Sequence, residues 1–265
     1  MKESKVENWN QFSKIADLLD IGDPFKYGYV FRGQSDADWL LQPALYRYFR
    51  ENNIIMEGRV LELEVSALNE FKTQAHLHLT SNEYIKTTDT VSWFSLMQHH
   101  GSPTRLLDWT GSIWVALYFA VNSNFKKDGA VWLVHANSVD IKMKELYGNV
   151  LFPPTEDLIQ NQYLKPDAPK VLRFVHRNSK STRMVAQQGI FSVCRNILGD
   201  HGEILSELFH EESLQEFYRK IIIPSHQKKS FLRKLRGMNV TANSLFPGLD
   251  GLGKSIQELL DTAVN

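Results

Sequence analysis

The run from Ser112 to Asn122, SIWVALYFAVN, is apolar on nearly every face. A helix of that kind belongs in a core, and it falls short of the ~20 apolar residues that cross a bilayer. The rest of the chain must therefore wrap around it. Directly upstream, residues 93–110 read WFSLMQHHGSPTRLLDWT. A helical pattern there ends in a double histidine and a glycine. A short strand follows, Thr104 to Trp109, with Arg105 and Asp108 set among leucines. Charges in such a strand are costly unless they are paired or used.

Asp108 and Thr110 stand just before the apolar helix, and either can cap it by accepting from its first free N–H groups. The alternative is a helix start that faces a ligand. Its free N–H groups and dipole attract phosphate, and His99, His100 and Arg105 would add donors. Arg105 and Asp108, three apart, point to opposite faces of an ideal strand. A bend at Leu107 is therefore expected, letting Asp108 reach Arg105 or cap the helix. The hydroxyl of Tyr118, if buried, needs a partner.

The chain of 265 residues suits one large domain or two small ones. Its formal net charge is zero, so no global attraction to nucleic acid or acidic lipid is built in. The single cysteine, Cys194, allows no internal disulfide, which fits a reducing compartment. It lies in a β-rich run and reads as a buried, inert thiol. No signal-peptide core and no transmembrane stretch is seen, and a cytoplasmic location is expected.

Residues 6–20 have helical spacing of apolar side chains. YGYVFRGQ, 27–34, reads as a strand ending at Gly33, which puts Arg32 near a strand end. Helices are expected at 44–50, 57–79, 202–217 and 227–236, and strands at 129–136, 171–176 and 219–224. On the 57–79 helix Glu62, Glu64 and Glu70 are read as facing out. Residues 138–170, with Pro153-Pro154, Pro166 and Pro169, read as loops with short helical turns. Near 178–193 a polar turn, a short helical turn carrying Arg183, Gln187 and Gln188, and a strand follow in order. A closing helix ends the chain. With no repeat and no clear linker, the economical reading is one α+β domain over 1–265, with an N-terminal helix at 6–20 and a core at 27–256. No GxGxxG, P-loop, GxSxG, HExxH or zinc spacing occurs.

Phe31-Arg32-Gly33-Gln34, followed by Trp39 and Pro43, resembles the signature of the FRG domain family. The stretch from Gln98 to Thr110 resembles that family's central motif. Arg183 with Ala186–Phe191, and Leu245–Gly251, are similar to its later ones. The resemblance runs from about residue 28 to 256. It implies a bacterial or viral protein, in some cases linked to anti-phage defence.

An aromatic-Arg-Gly at the end of an early strand is also similar to the first motif of the ADP-ribosyltransferases, where the Arg or His holds NAD. Thr110 or Thr104 would supply the second motif. At the third, Gln187 or Gln188 stands where that superfamily has a glutamate. This resemblance implies an α+β fold with a split central β-sheet packed by helices, and NAD as substrate in a cleft between two small sheets. It implies Arg32, His99, Asp108 and Gln188 as catalytic residues. Arg32, Gly33, Gln34, His100, Thr104, Arg105, Thr110, Arg183 and Gln187 would hold NAD, with Asp108 orienting Arg105 and no metal. The acceptor of ADP-ribose would be RNA, DNA or protein, and an antitoxin or other inhibitory partner would restrain the enzyme, away from any membrane. Two alternatives stand beside it. One is a nuclease using His99 or His100 as base, with Arg105 and the lysines of 227–236 on phosphates. The other is a non-enzymatic module that senses a nucleotide or a phage component.

Overall fold

A computed structural model describes residues 2–20, 28–75, 77–79, 89–148, 167–175 and 182–263. The fold is α+β. Among the described residues seven strands form one mixed sheet: β1 (Lys2–Lys5), β2 (Tyr29–Gln34), β3 (Leu107–Thr110), β4 (Gly129–His135), β5 (Leu172–Val175), β6 (Gly189–Cys194) and β7 (Tyr218–Ile223). Their order across the sheet is β1-β7-β4-β2-β3-β6-β5. Only β1 with β7 runs parallel; the other neighbours are antiparallel. The helices are α1 (Trp9–Asp20), α2 (Ala44–Glu51), α3 (Glu57–Ala75), α4 (Thr90–His99), α5 (Ile113–Val121) and α6 (Ala136–Tyr147). They continue with α7 (Thr182–Ala186), α8 (His201–Leu208), α9 (Lys228–Gly237), α10 (Ala242–Leu245) and α11 (Leu249–Ala263).

The apolar run 113–121 is the centre of one face. Val115, Leu117 and Ala120 of α5 pack with Phe12 of α1, Phe31 of β2, Val131 and Leu133 of β4, and Phe231 of α9. The other face carries Val30, Trp109, Trp132 and Val134 beneath α6 and α8. β4 is buried along its whole length, as its unbroken apolar sequence requires. Two glycines let α5 lie close to the sheet. A Cβ on Gly33 would come within 1.8 Å of the Ala116 carbonyl oxygen, and one on Gly129 within 2.2 Å of that of Ala120. Back on the α5 side of the sheet, α3 and α4 cover β6 through Phe94, Met97, Phe191 and Val193.

Two features of the sheet position the site. First, β2 registers with β3 through the single pair Phe31–Thr110, whereas β2 and β4 pair along their full lengths. The sheet is thus one, with a narrow seam where two separate small sheets were expected. Second, the helix layer is interrupted above that seam, between α4 and α5.

Several local expectations are corrected. The central strand begins at Leu107, not Thr104, because Thr104–Leu106 turn inward to bury Arg105. Ser112 caps α5 by accepting from Val115 N at 3.4 Å, so neither Asp108 nor Thr110 does. Ala136–Tyr147 is a helix, its start capped by His135 accepting from Ser138 N, where loops were expected. The expected loops at 149–166 and the polar turn at 178–181 lie outside the described residues. Strand β1 and the end of the helix expected at 57–79 also differ from the sequence reading.

Candidate functional site

A cavity of about 300 Å³ opens over the β2–β3 seam. Its floor is Phe31, Arg32 and Gly33 of β2 with Asp108, Trp109 and Thr110 of β3. Ser95, Gln98 and His99 of α4 stand on one side and Phe119 of α5 on another. Arg183, Met184 and Gln187, from α7 and the turn after it, close a third side beside Phe191 of β6. The wall is part aromatic and part charged, as small-molecule sites are.

Arg32 holds the seam. By strand alternation it belongs with Val30 and Gln34 on the α6 side, yet it lines the cavity because β2 and β3 diverge after Phe31–Thr110. Its Nη1 donates to the backbone oxygen of Asp108 at 2.7 Å, replacing the missing backbone pairing. The same nitrogen lies 3.9 Å from Asp108 Oδ2. Its Nε is buried and meets no acceptor among the described residues. A buried unmet donor is uncommon, and here it sits on a cavity wall. Burial lowers the Arg32 pKa from its usual value, and Asp108 opposes that shift.

Asp108 is held from the other side. Gln98 Nε2 donates to its Oδ2 at 2.6 Å, and Thr104 Oγ1 donates to Gln98 Oε1 at 2.5 Å. The surrounding protein raises the Asp108 pKa by desolvation, against Arg32, Arg183 and Gln98, which lower it. The side chain nevertheless keeps 61% exposure. Water reaching the carboxylate screens that desolvation, and Arg32, Arg183 and Gln98 favour its charged form. Arg183 lies over the Phe246 ring at 4.6 Å. Burial lowers its pKa and Asp108 opposes the shift. Thr110 Oγ1 donates to the Gln187 carbonyl at 2.7 Å, and Gln187 Nε2 donates to that of Leu245 at 3.1 Å. These bonds pin the α7 turn to the end of β3 and to the end of α10. His99 is exposed at the rim, its ring 4.9 Å from that of His100.

Of the residues singled out from the sequence, the structure brings Arg32, Gly33, His99, Asp108, Thr110, Arg183 and Gln187 to one cavity. It places five elsewhere. Arg105 is 3% exposed, and its guanidinium forks onto the Glu64 carboxylate of α3, with Nε at 2.8 Å from Oε1. Glu64, read as outward, is equally buried, so the pair is structural and Asp108 does not orient Arg105. Gln34 faces the α6 side, accepting from Trp132 Nε1 at 2.7 Å and donating to the Leu40 carbonyl at 3.2 Å. His100 borders a separate apolar groove between α2, α3 and α4. Thr104 is buried behind Gln98. Gln188 is exposed at a positive-φ turn (φ 48°), and its carbonyl accepts from Gly111 N at 3.0 Å. Gln98, Phe119 and Met184 were missed; Gln98 was legible only as part of the QHHG motif. Cys194 is buried, and burial pushes its thiol up to about 12, as an inert thiol requires.

The model of the FRG domain family matches residues 27–129. This stretch, which supplies Arg32, Gln98, His99, Asp108 and Thr110 to the cavity, therefore carries the expected FRG resemblance. The motifs around Arg183 and Leu245 lie beyond the matched segment. No curated protein and no solved structure matches the chain. Among the described residues no helix is long and apolar enough to cross a membrane, and no group of three or more His, Cys, Asp or Glu is placed to hold a metal ion.

Proposed function

We propose that the cavity takes NAD and that the protein transfers ADP-ribose from it to a macromolecular acceptor. The observation that carries this reading is the Arg32–Asp108 pair on the cavity floor. A guanidinium with an unmet buried donor stands beside the one carboxylate among the residues lining the cavity. A phosphate or ribose oxygen satisfies such a donor. The cavity is at the small end of the roughly 300–1,000 Å³ of ligand sites, so it admits the nicotinamide riboside half and leaves the adenosine at the open rim.

In this reading Phe31, Phe119 and Phe191 take the nicotinamide ring, and Arg32 and Arg183 take the pyrophosphate. The glycosidic C–N bond breaks, nicotinamide leaves neutral with the bonding pair, and positive charge develops at the ribose carbon. Asp108, fixed by Gln98, stabilises that charge without reorganising. An oxygen or nitrogen of the acceptor then bonds to the carbon and gives up its proton, for which His99 at the rim is the acceptor. The family resemblance supports a role as a toxin in antiviral defence, restrained by an inhibitory partner.

The test is incubation of purified protein with NAD labelled in the adenylate, in EDTA, with cellular RNA and protein as acceptors. Nicotinamide release and label on a macromolecule are expected, with Asp108→Asn reduced ~100-fold or more and Arg32→Ala similarly impaired. Absence of NAD binding by calorimetry, together with metal-dependent RNA cleavage, would overturn the reading in favour of a nuclease.

A further inference from the structure

Helix α11 is turned the unusual way round. The residues it buries are Gly251, Ser255, Glu258 and Thr262. Its large apolar side chains face water: Leu249 is 85% exposed, Leu260 60%, Ile256 49%, Leu252 46% and Leu259 44%. The inward face is held by polar bonds. Tyr118 OH donates to Glu258, whose other oxygen accepts from Ala242 N at 3.3 Å. Arg233 and Arg236 of α9 each donate to a carbonyl of α11, at Thr262 and Ser255, at 3.1 Å. A Cβ on Gly251 would lie 1.8 Å from the Phe246 carbonyl oxygen, so the close fit fixes which face looks inward.

The exposed side chains are spaced for a helix partner. Leu249, Leu252, Ile256, Leu259 and Ala263 follow intervals of three, four, three and four, the a and d positions of a coiled coil with Ile at a central a and Leu at both d positions. On the order of 400–500 Å² of apolar surface per copy is involved, so pairing two copies approaches the roughly 1,000 Å² of a specific interface. We infer that α11 is a self-association seam, and that its occupant is α11 of a second copy of this chain.

Charge selects this occupant. In a coiled coil the e and g positions choose the partner. Here the open flank is Gly253 and Leu260, and the other flank, Ser255 and Thr262, is already buried against the body, so no like charges meet across a two-fold axis. The polar face carries Asp250, Lys254 and Asp261, which lacks the Lys/Arg excess of helices that bind anionic membranes. Isolated helices of about 12–15 residues are marginal in water, but α11 is already docked on its own body, so pairing bears no cost of forming it. On the polar face, away from the seam, Lys254 lies over Phe246 at 4.8 Å, the ring that Arg183 also covers.

Light scattering coupled to size exclusion, from 1 to 100 µM protein, tests the seam. A concentration-dependent dimer is expected, and Leu252→Gln/Leu259→Gln should be monomeric with an unchanged circular dichroism spectrum. Ile256 is at the middle of the helix, so its two copies meet whichever way the helices run. Ile256→Cys should therefore give a covalent dimer on mild oxidation, and Lys254→Cys should not. A wild type that stays monomeric at 100 µM, a double variant that still dimerises, or a monomer that floats with phosphatidylcholine vesicles would each overturn the proposal.

Discussion

Removing Glu64 separates the architecture from the site. The Arg105 and Glu64 side chains are each 3% exposed, and the guanidinium makes three contacts with the carboxylate through Nε and Nη2. Glu64→Ala leaves a buried guanidinium facing a void. Breaking a buried pair from one side costs about 3–5 kcal/mol, because the remaining charge stays desolvated. Arg105 Nη1 keeps a bond to the Arg195 carbonyl at 3.2 Å, which places the expectation in the lower half, about 3–4 kcal/mol. At roughly 2–4 °C per kcal/mol for a chain near this size, the midpoint should fall by ~6–16 °C. Asp108→Ala is the control. Its carboxylate is 61% exposed, and its loss should cost no more than ~1 kcal/mol. Glu64→Met/Arg105→Met, which removes both charges, should recover most of the loss. Urea titration for the free energies and thermal melting for the midpoint, both followed by circular dichroism, measure all three. If Glu64→Ala stays within 1 kcal/mol of wild type, or Asp108→Ala costs as much as Glu64→Ala, the assignment of Arg105 to the framework and Asp108 to the cavity is wrong.

Gly33→Ala should destabilise by about 3 kcal/mol or more in the same titration, since its Cβ would meet the Ala116 backbone oxygen and α5 would have to lift. His201 is pushed down to about 3 by burial, so the neutral ring is the folded form, and it shares a 2.9 Å bond with the Ser192 hydroxyl. Between that value and the unfolded 6.5 the unfolded chain binds a proton that the folded chain refuses, so stability falls as pH falls. Wild type should therefore lose about 2–3 kcal/mol more than His201→Gln between pH 6.5 and 4.5. Lys228→Met should cost about 3 kcal/mol, because the buried ammonium serves three carbonyls, those of Ser35 at 2.6 Å and of Ser123 and Asn124 at 3.0 Å.

The elements legible in the sequence are those whose burial is one-sided and local. The apolar run 112–122, the strand 129–136 and the isoleucine strand 219–224 each carry their own periodicity or bounds, and each lies close to where it was expected. Strand β1, Lys2–Lys5, has no apolar pattern, because it is an edge strand held parallel to β7 by backbone bonds and by ion pairs such as Glu3–Lys220. Helix α6 was hidden by the prolines that follow it. The partner of Arg105 was illegible for another reason. A single glutamate at a buried position of a long amphipathic helix looks like its outward neighbours Glu62 and Glu70 until the facing segment, Thr104–Leu106, is known.

The cavity shows the same limit more sharply. The motif FRGQ presents four adjacent residues, and a pleated strand divides them: Phe31 and Gly33 meet α5, while Gln34 turns away to Trp132. Alternation alone would also send Arg32 to that far side. It reaches the cavity because β2 and β3 touch at one pair and then separate, a fact that belongs to the sheet and not to either strand. The Asp108 carbonyl satisfies one Arg32 nitrogen, and Nε is left unmet beside the Asp108 carboxylate. The seam in the sheet, the cavity above it and the unsatisfied donor within it are therefore one feature. A substitution that zipped β2 to β3 would be expected to stabilise the sheet and close the site together.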